Sequence, residues 1–381
     1  LGAGQSAMVA RPPSGGGREM IKLLIGGSPC THWSIAQTKN RETAPEGIGW
    51  ELFLNYLIAR NKYAPDYFLY ENNKSMSPSV REKITELLGV RPTLINSALV
   101  SAQNRRRLYW VGKRNMNGTY NEINISQPDD CRVFLQDILD APGETWLKKA
   151  YTITATEYKG NNVEHFLEKH IRTQVAIPIN PLKSGKSRTV DAHMGKLEND
   201  LIARINNPNP AKQQYDCIAE TIQNDSGRGS RKLPIYEVCG NSMIARNGKC
   251  YRVNLPDGVY SFRKLTVSEC RRLQTVPDTY LFPVCNTQQY KMLGNGWTVD
   301  VIAHIMSHFD GLTEERVEVL SMYDGMSCGQ IALDKVGAKV ERYYASEIDK
   351  YAVLTTQHNY PNTVQLGDAF NVRRPDWRLE P

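Results

Sequence analysis

The sequence predicts an α/β protein whose mostly parallel, doubly wound sheet is interrupted by a long irregular insertion. Toward both ends of the chain, short apolar runs that stop at glycine or polar residues alternate with segments whose apolar residues recur at helical spacing. Strands that alternate with helices need crossover connections, which produce parallel sheets with a ligand crevice at the carboxyl ends of the strands. The middle of the chain loses this pattern, and 381 residues are too many for one small domain.

The first part of the α/β pattern occupies residues 20–113. Strands are predicted where apolar runs end at glycines or polar residues, in IKLLIGG, YFLYENN and RLYWVGK. Helices are predicted for WELFLNYLIARNKY and for SVREKITELLG, an amphipathic segment that Gly89 closes. Residues 1–19, rich in glycine, proline and serine, are expected to be a flexible leader without a function of their own.

The pattern breaks between residues 114 and 262 and returns over residues 263–381. The middle stretch contains short strands, polar loops and turn-rich clusters such as NPNPAK and NDSGRGSRK, which predict a second, irregular domain. After it, helices are predicted for LTVSECRRLQ, VDVIAHIMSHF and CGQIALDKVG, and strands for VEVLSMYDG, RYYASEID and VQLGD. The α/β domain is therefore predicted to be divided, with its two parts flanking the insertion.

Composition and charge exclude several classes of protein. The chain has 40% hydrophobic and 23% charged residues, which suits a folded globular protein. No run approaches the ~18 to 20 apolar residues of a membrane helix, and the leader lacks the apolar stretch of a secretory signal. None of the eight cysteines forms a CxxC pair, so we expect reduced thiols, with neither a zinc site nor a disulfide framework. The net charge of +7 suits a polyanionic partner.

One cysteine, Cys30, lies where chemistry is expected. It ends GGSPC, directly after the first predicted strand, although a Pro-Cys pair taken alone is more often a packing feature than a nucleophile. Its significance comes from the motifs that follow: YENN with Glu71, QNRRR with Arg105 and Arg107, RLQTVPD, LGNGWTV with Asn295, and VLSMYDGMSCGQ. Because Glu71 follows a buried strand, we expect its carboxylate at the ligand end of the sheet rather than at a surface cap.

Together these motifs resemble those of the DNA cytosine-5 methyltransferases, in particular the phage and bacterial enzymes and the animal de novo methyltransferases. The resemblance implies a Rossmann-like methyltransferase fold, S-adenosylmethionine (AdoMet) as methyl donor, S-adenosylhomocysteine as product, and double-stranded DNA as substrate. It implies neither a metal nor a membrane, and we expect a monomer in the cytoplasm of a bacterial or phage-infected cell.

The order of the motifs departs from that family. The AdoMet segment usually precedes the Pro-Cys loop, whereas here it comes last, at residues 319–368. The chain is therefore predicted to be circularly permuted. A sheet tolerates such a permutation because its stability depends on the position of each strand in the sheet and not on the order of the strands in the sequence. The nine-residue link HFDGLTEER joins the former ends, and it requires the helix after Asn295 to pack beside the strand VEVLSM.

The resemblance assigns the catalytic chemistry to Cys30, Glu71, Arg105 and Arg107. A cysteine thiolate adds to carbon 6 of cytosine and so turns carbon 5 into a nucleophile. Glu71 is expected to contact ring nitrogen 3 and the exocyclic amine, Arg107 to orient the base, and Arg105 to lie near the base and phosphate. A raised pKa would let Glu71 donate a proton, and burial favours such a rise whereas a close arginine opposes it. Arg106 is expected to point into solvent.

The donor site is predicted from VLSMYDGMSCGQ, a strand, a glycine-containing turn and a helix start, where backbone approaches a nucleoside. By resemblance, Glu347 binds ribose hydroxyls, Asp368 meets the adenine amine, and Tyr323 stacks near the adenine. Asp324 is expected to hold the shape of the loop, and Cys328 to be a packing residue. The full predicted cofactor set is Pro29, Asn295, Trp297, Tyr323, Asp324, Gly325, Met326, Ser327, Cys328, Gly329, Glu347, Ile348 and Asp368.

The insertion is predicted to be a target-recognition domain. A cytosine inside duplex DNA must be flipped out of the stack before a thiolate reaches it, and contacts to the DNA must offset that cost. Basic side chains on polar loops suit phosphate and base-edge contacts, and the alternative for each is an ordinary solvated surface. These basic residues are Lys183, Lys186, Arg188, Arg228, Arg231 and Lys232. The predicted substrate-binding residues are Ser28, Asn72, Gln103, Arg188 and Arg228.

Two alternative functions stay open. A relative with the same motifs methylates cytosine in RNA, although the long insertion favours duplex DNA. The other alternative is a non-catalytic DNA-binding or regulatory module, and the joint presence of Cys30, Glu71 and Arg107 counts against it. His32, two residues after Cys30, is a further candidate for tuning the thiol, although the family does not require a histidine there.

Overall fold

The computed structural model describes residues 20–29, 32–34, 41–141, 143–159, 163–179, 221–222, 233–240, 242–246 and 249–379. The described strands are β1 (Ile21–Gly26), β2 (Tyr67–Asn73), β3 (Pro92–Asn96), β4 (Arg106–Arg114), β5 (Tyr120–Glu122), β6 (Gln174–Pro178), β7 (Thr221–Ile222), β8 (Leu233–Val238), β9 (Met243–Arg246), β10 (Lys249–Arg252), β11 (Gly258–Lys264), β12 (Arg316–Met322), β13 (Lys339–Ser346) and β14 (Val364–Gln365).

Five of the described helices coincide with predicted segments, whereas those at residues 163–169, 286–295 and 350–359 were not predicted. The described helices are α1 (Gly47–Tyr63), α2 (Pro78–Leu88), α3 (Val163–Lys169), α4 (Val267–Leu273), α5 (Asn286–Asn295), α6 (Val299–Met306), α7 (Cys328–Val336) and α8 (Lys350–Asn359). Local chemistry sets the bounds of α2, because the Ser77 hydroxyl accepts the Val80 N–H at its start and Gly89 adopts a left-handed φ of 75° at its end. Among the helices of the described ranges, none has the length and apolarity that a bilayer crossing requires.

The central sheet is α/β and mostly parallel, as predicted. Seven strands lie in the order β14–β13–β12–β1–β2–β4–β3, and β5 pairs with β4. The pairs from β14 to β2 are parallel, whereas β4 is antiparallel to both β2 and β3. The link from β3 to β4, residues 97–105, is shorter than the dozen or so residues of a parallel crossover, so the chain reverses direction.

The sheet is covered by helices on both faces. Alternate residues of β1 belong to different cores, since Leu23 and Ile25 pack with residues of α4 to α8, whereas Leu24 packs with α1 and α2. Helix α6 packs on α7 and shares its core with β12, as the short link between α6 and β12 requires. Doubly wound packing of this kind places ligands at the carboxyl edge of the parallel strands.

The domain boundary predicted at residue 114 lies within the central sheet. The expected boundary at residue 114 is the last residue of β4, and the following β5 belongs to the central sheet. Residues beyond it, including Ile125, Leu135 and Ile153, pack into the same core as the central sheet. A separate four-stranded sheet, in the order β6–β11–β8–β7, begins at Gln174 and has its own apolar cluster. The hydrophobic pattern alone did not separate these two parts because both consist of short, polar-flanked segments.

The two ends of the α/β pattern meet in the middle of the sheet. Strand β1 pairs in parallel with β12 from Ile21–Val317 to Gly26–Met322. The loops that follow these two strands therefore leave the sheet side by side at its carboxyl edge. This neighbourhood is the one that the sequence predicted for the Pro-Cys loop and the donor loop.

Candidate active site

Buried polar contacts hold the loop after β1 at the edge of the sheet. The Ser28 hydroxyl, 3% exposed, lies 2.6 Å from the hydroxyl of Tyr70, and the Asn72 amide donates to the Ser28 carbonyl across 3.1 Å. The buried side chains of Ser28 and Asn72 fix the loop that leads to the exposed Pro29, and their predicted contact with the substrate stays a prediction. Cys30, the predicted nucleophile, lies outside the described residues.

Glu71 lies two residues before the end of β2, beside this loop, and two donors hold its carboxylate. The residue is 8% exposed. Its Oε1 lies 2.9 Å from Nε of Arg107, and its Oε2 accepts a hydrogen bond from the Trp297 indole across 3.0 Å. A Cβ on Gly27 would lie 2.8 Å from the Glu71 carbonyl oxygen, so glycine is required where the loop passes β2. The structure thus brings together Glu71 and Arg107, as predicted.

Arg105 connects β4 to two distant segments. It is 4% exposed and donates to the carbonyl of Ile153 on one side and to those of Gly294 and Gly296 on the other. Carbonyl acceptors fit a guanidinium because it has five N–H donors. Arg106 is exposed, as predicted from its place on an extended strand. Arg105 therefore ties the segment before the insertion to the turn that carries Trp297, and its predicted contact with the base or phosphate stays a prediction.

Gln103 is part of the same buried junction. Gln103 is fully buried. Its side-chain Nε2 donates to the Leu273 carbonyl and to the Gln274 side chain, and its side-chain Oε1 accepts the Ile153 N–H. Both polar atoms of the Gln103 side chain are thus bound by protein, and its predicted contact with the substrate stays a prediction.

The donor loop after β12 has an unusual backbone. Tyr323, Gly325 and Ser327 all have φ values near +60°, in the left-handed region. The Asp324 carboxylate accepts a hydrogen bond from the Tyr343 hydroxyl across 2.7 Å, which matches the prediction that it holds the shape of the loop. Burial raises the pKa of Asp324 to about 6, although nearby hydroxyls oppose the rise.

The two predicted cofactor carboxylates and one exposed apolar side chain follow the next two strands of the sheet. Glu347 Oε2 accepts the Gly325 N–H, and its Oε1 accepts the N–H groups of Ile348 and Asp349, each across 2.8 Å. Ile348 is 76% exposed, and Asp368 is exposed after β14. A Cβ on Gly325 would meet no atom within 4 Å, so the space beside the loop is open.

Other predicted cofactor residues face the protein interior. Tyr323 donates its hydroxyl to the Leu52 carbonyl across 2.7 Å, and a Cβ on Gly329 would lie 2.3 Å from Ile25, so α7 packs tightly on β1. Burial raises the pKa of Cys328 to about 12, as expected for a packing thiol. Four further predicted residues are buried, so only their backbone groups could contact a ligand: Met326, Ser327, Cys328 and Gly329. Asn295, by contrast, is exposed.

Two features of the site were not predicted. One is the hydrogen bond between Trp297 and Glu71, which links the predicted cofactor pocket to the predicted base pocket. The other is the pairing of His32 with Glu42, whose Nδ1 and Oε1 lie 3.3 Å apart. No sequence signal marked either pair. Among the described residues, no group of three or more histidine, cysteine or acidic side chains could hold a metal ion.

The basic residues assigned to target recognition cannot be placed. They lie outside the described residues: Lys183, Lys186, Arg188, Arg228, Arg231 and Lys232. The same holds for the predicted leader, residues 1–19.

Comparison with known proteins identifies the family of this chain. The sequence model of the C-5 cytosine-specific DNA methylases matches residues 17–310. The type II methyltransferase M.FnuDI of Fusobacterium nucleatum is 26% identical over 298 residues, which cover 74% of each chain. M.HpaII of Haemophilus parainfluenzae is 24% identical over 301 residues, 74% of this chain and 70% of that one. The S. pombe Dnmt2 methyltransferase structure aligns over 75% of this chain and 76% of its own with a TM-score of 0.36 and 12% identity. The chain belongs to the C-5 cytosine-specific DNA methylase family.

Proposed function

We propose that this DNA methyltransferase transfers a methyl group from AdoMet to carbon 5 of a flipped-out cytosine in duplex DNA, through a covalent adduct of Cys30. The observation that carries the proposal is the carboxylate of Glu71, which lies at the carboxyl edge of the sheet between Arg107 and Trp297. The chain position of Cys30, next to the anchored Ser28–Pro29 segment, supports a nucleophile beside that carboxylate.

The covalent step activates a carbon that is otherwise a poor nucleophile. The Cys30 thiolate adds to carbon 6 of cytosine, and the ring electrons shift so that carbon 5 becomes part of an enamine while negative charge develops at nitrogen 3. Carbon 5 would then bond to the methyl group of AdoMet as the bond between that methyl and the sulfur breaks, which would leave neutral S-adenosylhomocysteine. Loss of the proton from carbon 5 expels the thiolate, which restores the ring double bond and returns Cys30 to its starting state.

Glu71 and Arg107 are assigned to the base. A carboxylate offers about four acceptor positions, and Arg107 and Trp297 each occupy one of those of Glu71. The remaining positions suit the exocyclic amine of cytosine and a proton shared with nitrogen 3. Because the carboxylate is fixed before the base arrives, little reorganisation is needed when charge develops on the ring.

The donor loop fits AdoMet. AdoMet supplies an electrophilic methyl group on a cationic sulfur. Its adenosine part has a flat apolar face together with hydroxyl and amine donors. Exposed Ile348 suits the flat face, whereas Glu347 and Asp368 are acceptors for the hydroxyls and the amine. The open space beside Gly325 leaves room for a ligand against the backbone. We assign AdoMet to this loop, with Asn295 and Trp297 on its other side.

We also infer that the chain order is permuted relative to the family. The family match ends at residue 310, just before the segment that contains β12, β13 and β14. Those three strands nevertheless complete the sheet beside β1. A segment that follows the family match in the sequence but completes the same sheet in the structure supports a circular permutation.

The direct test is methylation of duplex DNA by the wild type and by Cys30→Ala, read by bisulfite sequencing, which also reports the target motif. We expect methylation by the wild type, none by Cys30→Ala, and wild-type activity for Cys131→Ala, which changes an exposed cysteine. Equal activity of wild type and Cys30→Ala would overturn the proposed mechanism. Competition between duplex DNA and tRNA tests the RNA alternative, and failure to bind AdoMet would favour a non-catalytic role.

A further inference from the structure

We propose that Arg41 and Glu42 are positioning residues that hold the nucleophile of this enzyme in place. The inference rests on the proposed function, since it concerns Cys30 as the attacking group. The residues involved are called the loop neck: His32, Trp33, Arg41 and Glu42. They bring together two parts of the chain that flank residues 34–40 and so fix the segment immediately after Cys30.

Glu42 makes the central contacts of the loop neck. Its backbone N–H donates to the His32 carbonyl across 2.9 Å, and its Oε1 lies 3.3 Å from His32 Nδ1. The same carboxylate accepts the Gly49 N–H, at 3.2 Å from Oε1 and 3.0 Å from Oε2. A single side chain thus joins the residue two positions after Cys30 to the first turn of α1, a place where the helix dipole favours negative charge.

Arg41 provides a second attachment. Its Nε donates to the Trp33 carbonyl across 3.2 Å, and its Nη2 donates to the Ser75 carbonyl across 2.6 Å. Ser75 lies in the loop after β2, the strand that carries Glu71. The loop neck is therefore fastened to the segment that leads away from the base-binding carboxylate.

The aromatic ring of Trp33 anchors the loop neck in the core. Trp33 is fully buried and packs in one cluster with Trp50 and Phe53 of α1. The space is filled so tightly that a Cβ on Gly49 would lie 2.6 Å from Glu42 Oε2, 2.8 Å from His32 Cβ and 3.0 Å from Trp33 Nε1. Because cores are closely packed, the backbone at residues 32 and 33 has little freedom to shift.

These contacts constrain Cys30 from its carboxyl side. On its amino side, Ser28 is held by Tyr70 and Asn72. The residues two positions before and after Cys30 are therefore both held by the protein, Ser28 by β2 and His32 by the loop neck. A displacement of about 1 Å of a reacting group costs about 100-fold in rate, so loosening the loop neck should slow thiolate addition without weakening ligand binding.

The experiment measures adduct formation directly. Duplex DNA made by polymerase copying with 5-fluorocytosine in place of cytosine traps the adduct, because the fluorine at carbon 5 cannot leave as a cation. With saturating DNA and AdoMet, we expect Glu42→Gln to form the denaturant-stable adduct about 100-fold more slowly than the wild type, with unchanged Kd for DNA and AdoMet. Glu51→Gln is the matched control and should behave as wild type. Glu51 lies in α1, the helix that Glu42 contacts, and forms a surface ion pair with Arg373.

A second variant guards against a general folding defect. His32 has a side chain that is 31% exposed, so His32→Gln should fold normally and still slow adduct formation. Wild-type adduct rates in both Glu42→Gln and His32→Gln would overturn the inference. A loss of DNA or AdoMet affinity equal to the loss of rate would also overturn it. Absence of adduct from the wild type, or its persistence in Cys30→Ser, would instead contradict the proposed function.

Discussion

The indole of Trp297 donates a hydrogen bond to the carboxylate of Glu71 across 3.0 Å, although the two residues are 226 positions apart in the chain. The turn that carries Trp297 lies beside the helix after the proposed donor loop, since a Cβ on Gly296 would be 3.1 Å from the Cys328 sulfur, whereas Glu71 belongs to the proposed base pocket. A hydrogen bond to a charged group contributes about 1.5 to 3 kcal/mol, so this contact has consequences for activity.

We expect Trp297→Phe to lower the single-turnover rate of methylation by about tenfold or more. The substitution keeps an aromatic ring but removes the N–H that fixes Glu71 Oε2, and a loss of 1.4 kcal/mol corresponds to a factor of about ten. Rapid-quench assays with radiolabelled AdoMet measure this rate. Trp377→Phe, at a partly buried tryptophan beside Lys62, is the control. Unchanged chemistry in Trp297→Phe would show that the hydrogen bond is not needed to position Glu71.

Gly294→Ala should destabilise the protein by about 1 to 3 kcal/mol, the range for overpacking a filled core. An added Cβ would lie 2.1 Å from the backbone carbon of Thr154 and 2.3 Å from the Ala155 nitrogen, so one of the two segments must move. Urea denaturation measures the change. In the control Gly258→Ala, the nearest atom to the new Cβ is a Tyr260 ring carbon at 3.5 Å. Equal stability of both variants would contradict the close contact.

The stability of the protein should fall as the pH rises from about 4.5 to about 7. Burial raises the pKa of Glu157 from 4.5 to about 7, although Thr154, Arg172 and Lys264 oppose the rise. The folded state therefore binds this proton more tightly than the unfolded chain, and the advantage, at most about 3 kcal/mol, is lost as the pH passes through the folded pKa. We expect Glu157→Gln to flatten the profile measured by urea denaturation at pH 5 and pH 8. A slope equal to that of wild type would contradict this role, and Glu86→Gln, at an exposed ion pair, should keep the slope.

Ile348→Ala should weaken AdoMet binding by about tenfold and leave the stability unchanged. Covering an isoleucine side chain with ligand is worth about 1.5 to 3 kcal/mol, and Ile348 is 76% exposed before any ligand binds. Calorimetric titration measures the Kd. Leu354→Ala, at a 50% exposed residue in α8, is matched in size and should bind AdoMet as the wild type does. A similar Kd for Ile348→Ala and wild type would exclude this residue from the donor site.

Much of the fold could be predicted because its signals are local. The serine before α2 and the glycine after it, at positions 77 and 89, mark the bounds that the structure shows. The place of Glu71 was predictable for a similar reason, since a polar residue that ends a buried parallel strand lies at the ligand edge. The five residues of β3 were missed because PTLIN is short, lies at the edge of the sheet and has no clear alternation.

The rest depends on contacts between distant parts of the chain. Nothing in the sequence near Gln103 shows that its amide is bound by Leu273 and Gln274, some 170 residues away, and so is withdrawn from solvent. The contact between Ser28 and Tyr70 could not be predicted for the same reason, because Tyr70 belongs to a neighbouring strand. Residue type and motif therefore predicted where Glu71 lies, whereas contacts between distant residues decide which side chains the protein itself binds.

The pairing of β1 with β12 also has a consequence for the newly made protein. The ribosome releases β1 about 290 residues before β12, its neighbour on one side. At ~5 to 20 residues per second, the edge of β1 stays unpaired for about 15 to 60 s of synthesis. An unpaired strand edge can pair with strands of other chains. During this interval β1, the central strand of the final sheet, is therefore exposed to aggregation.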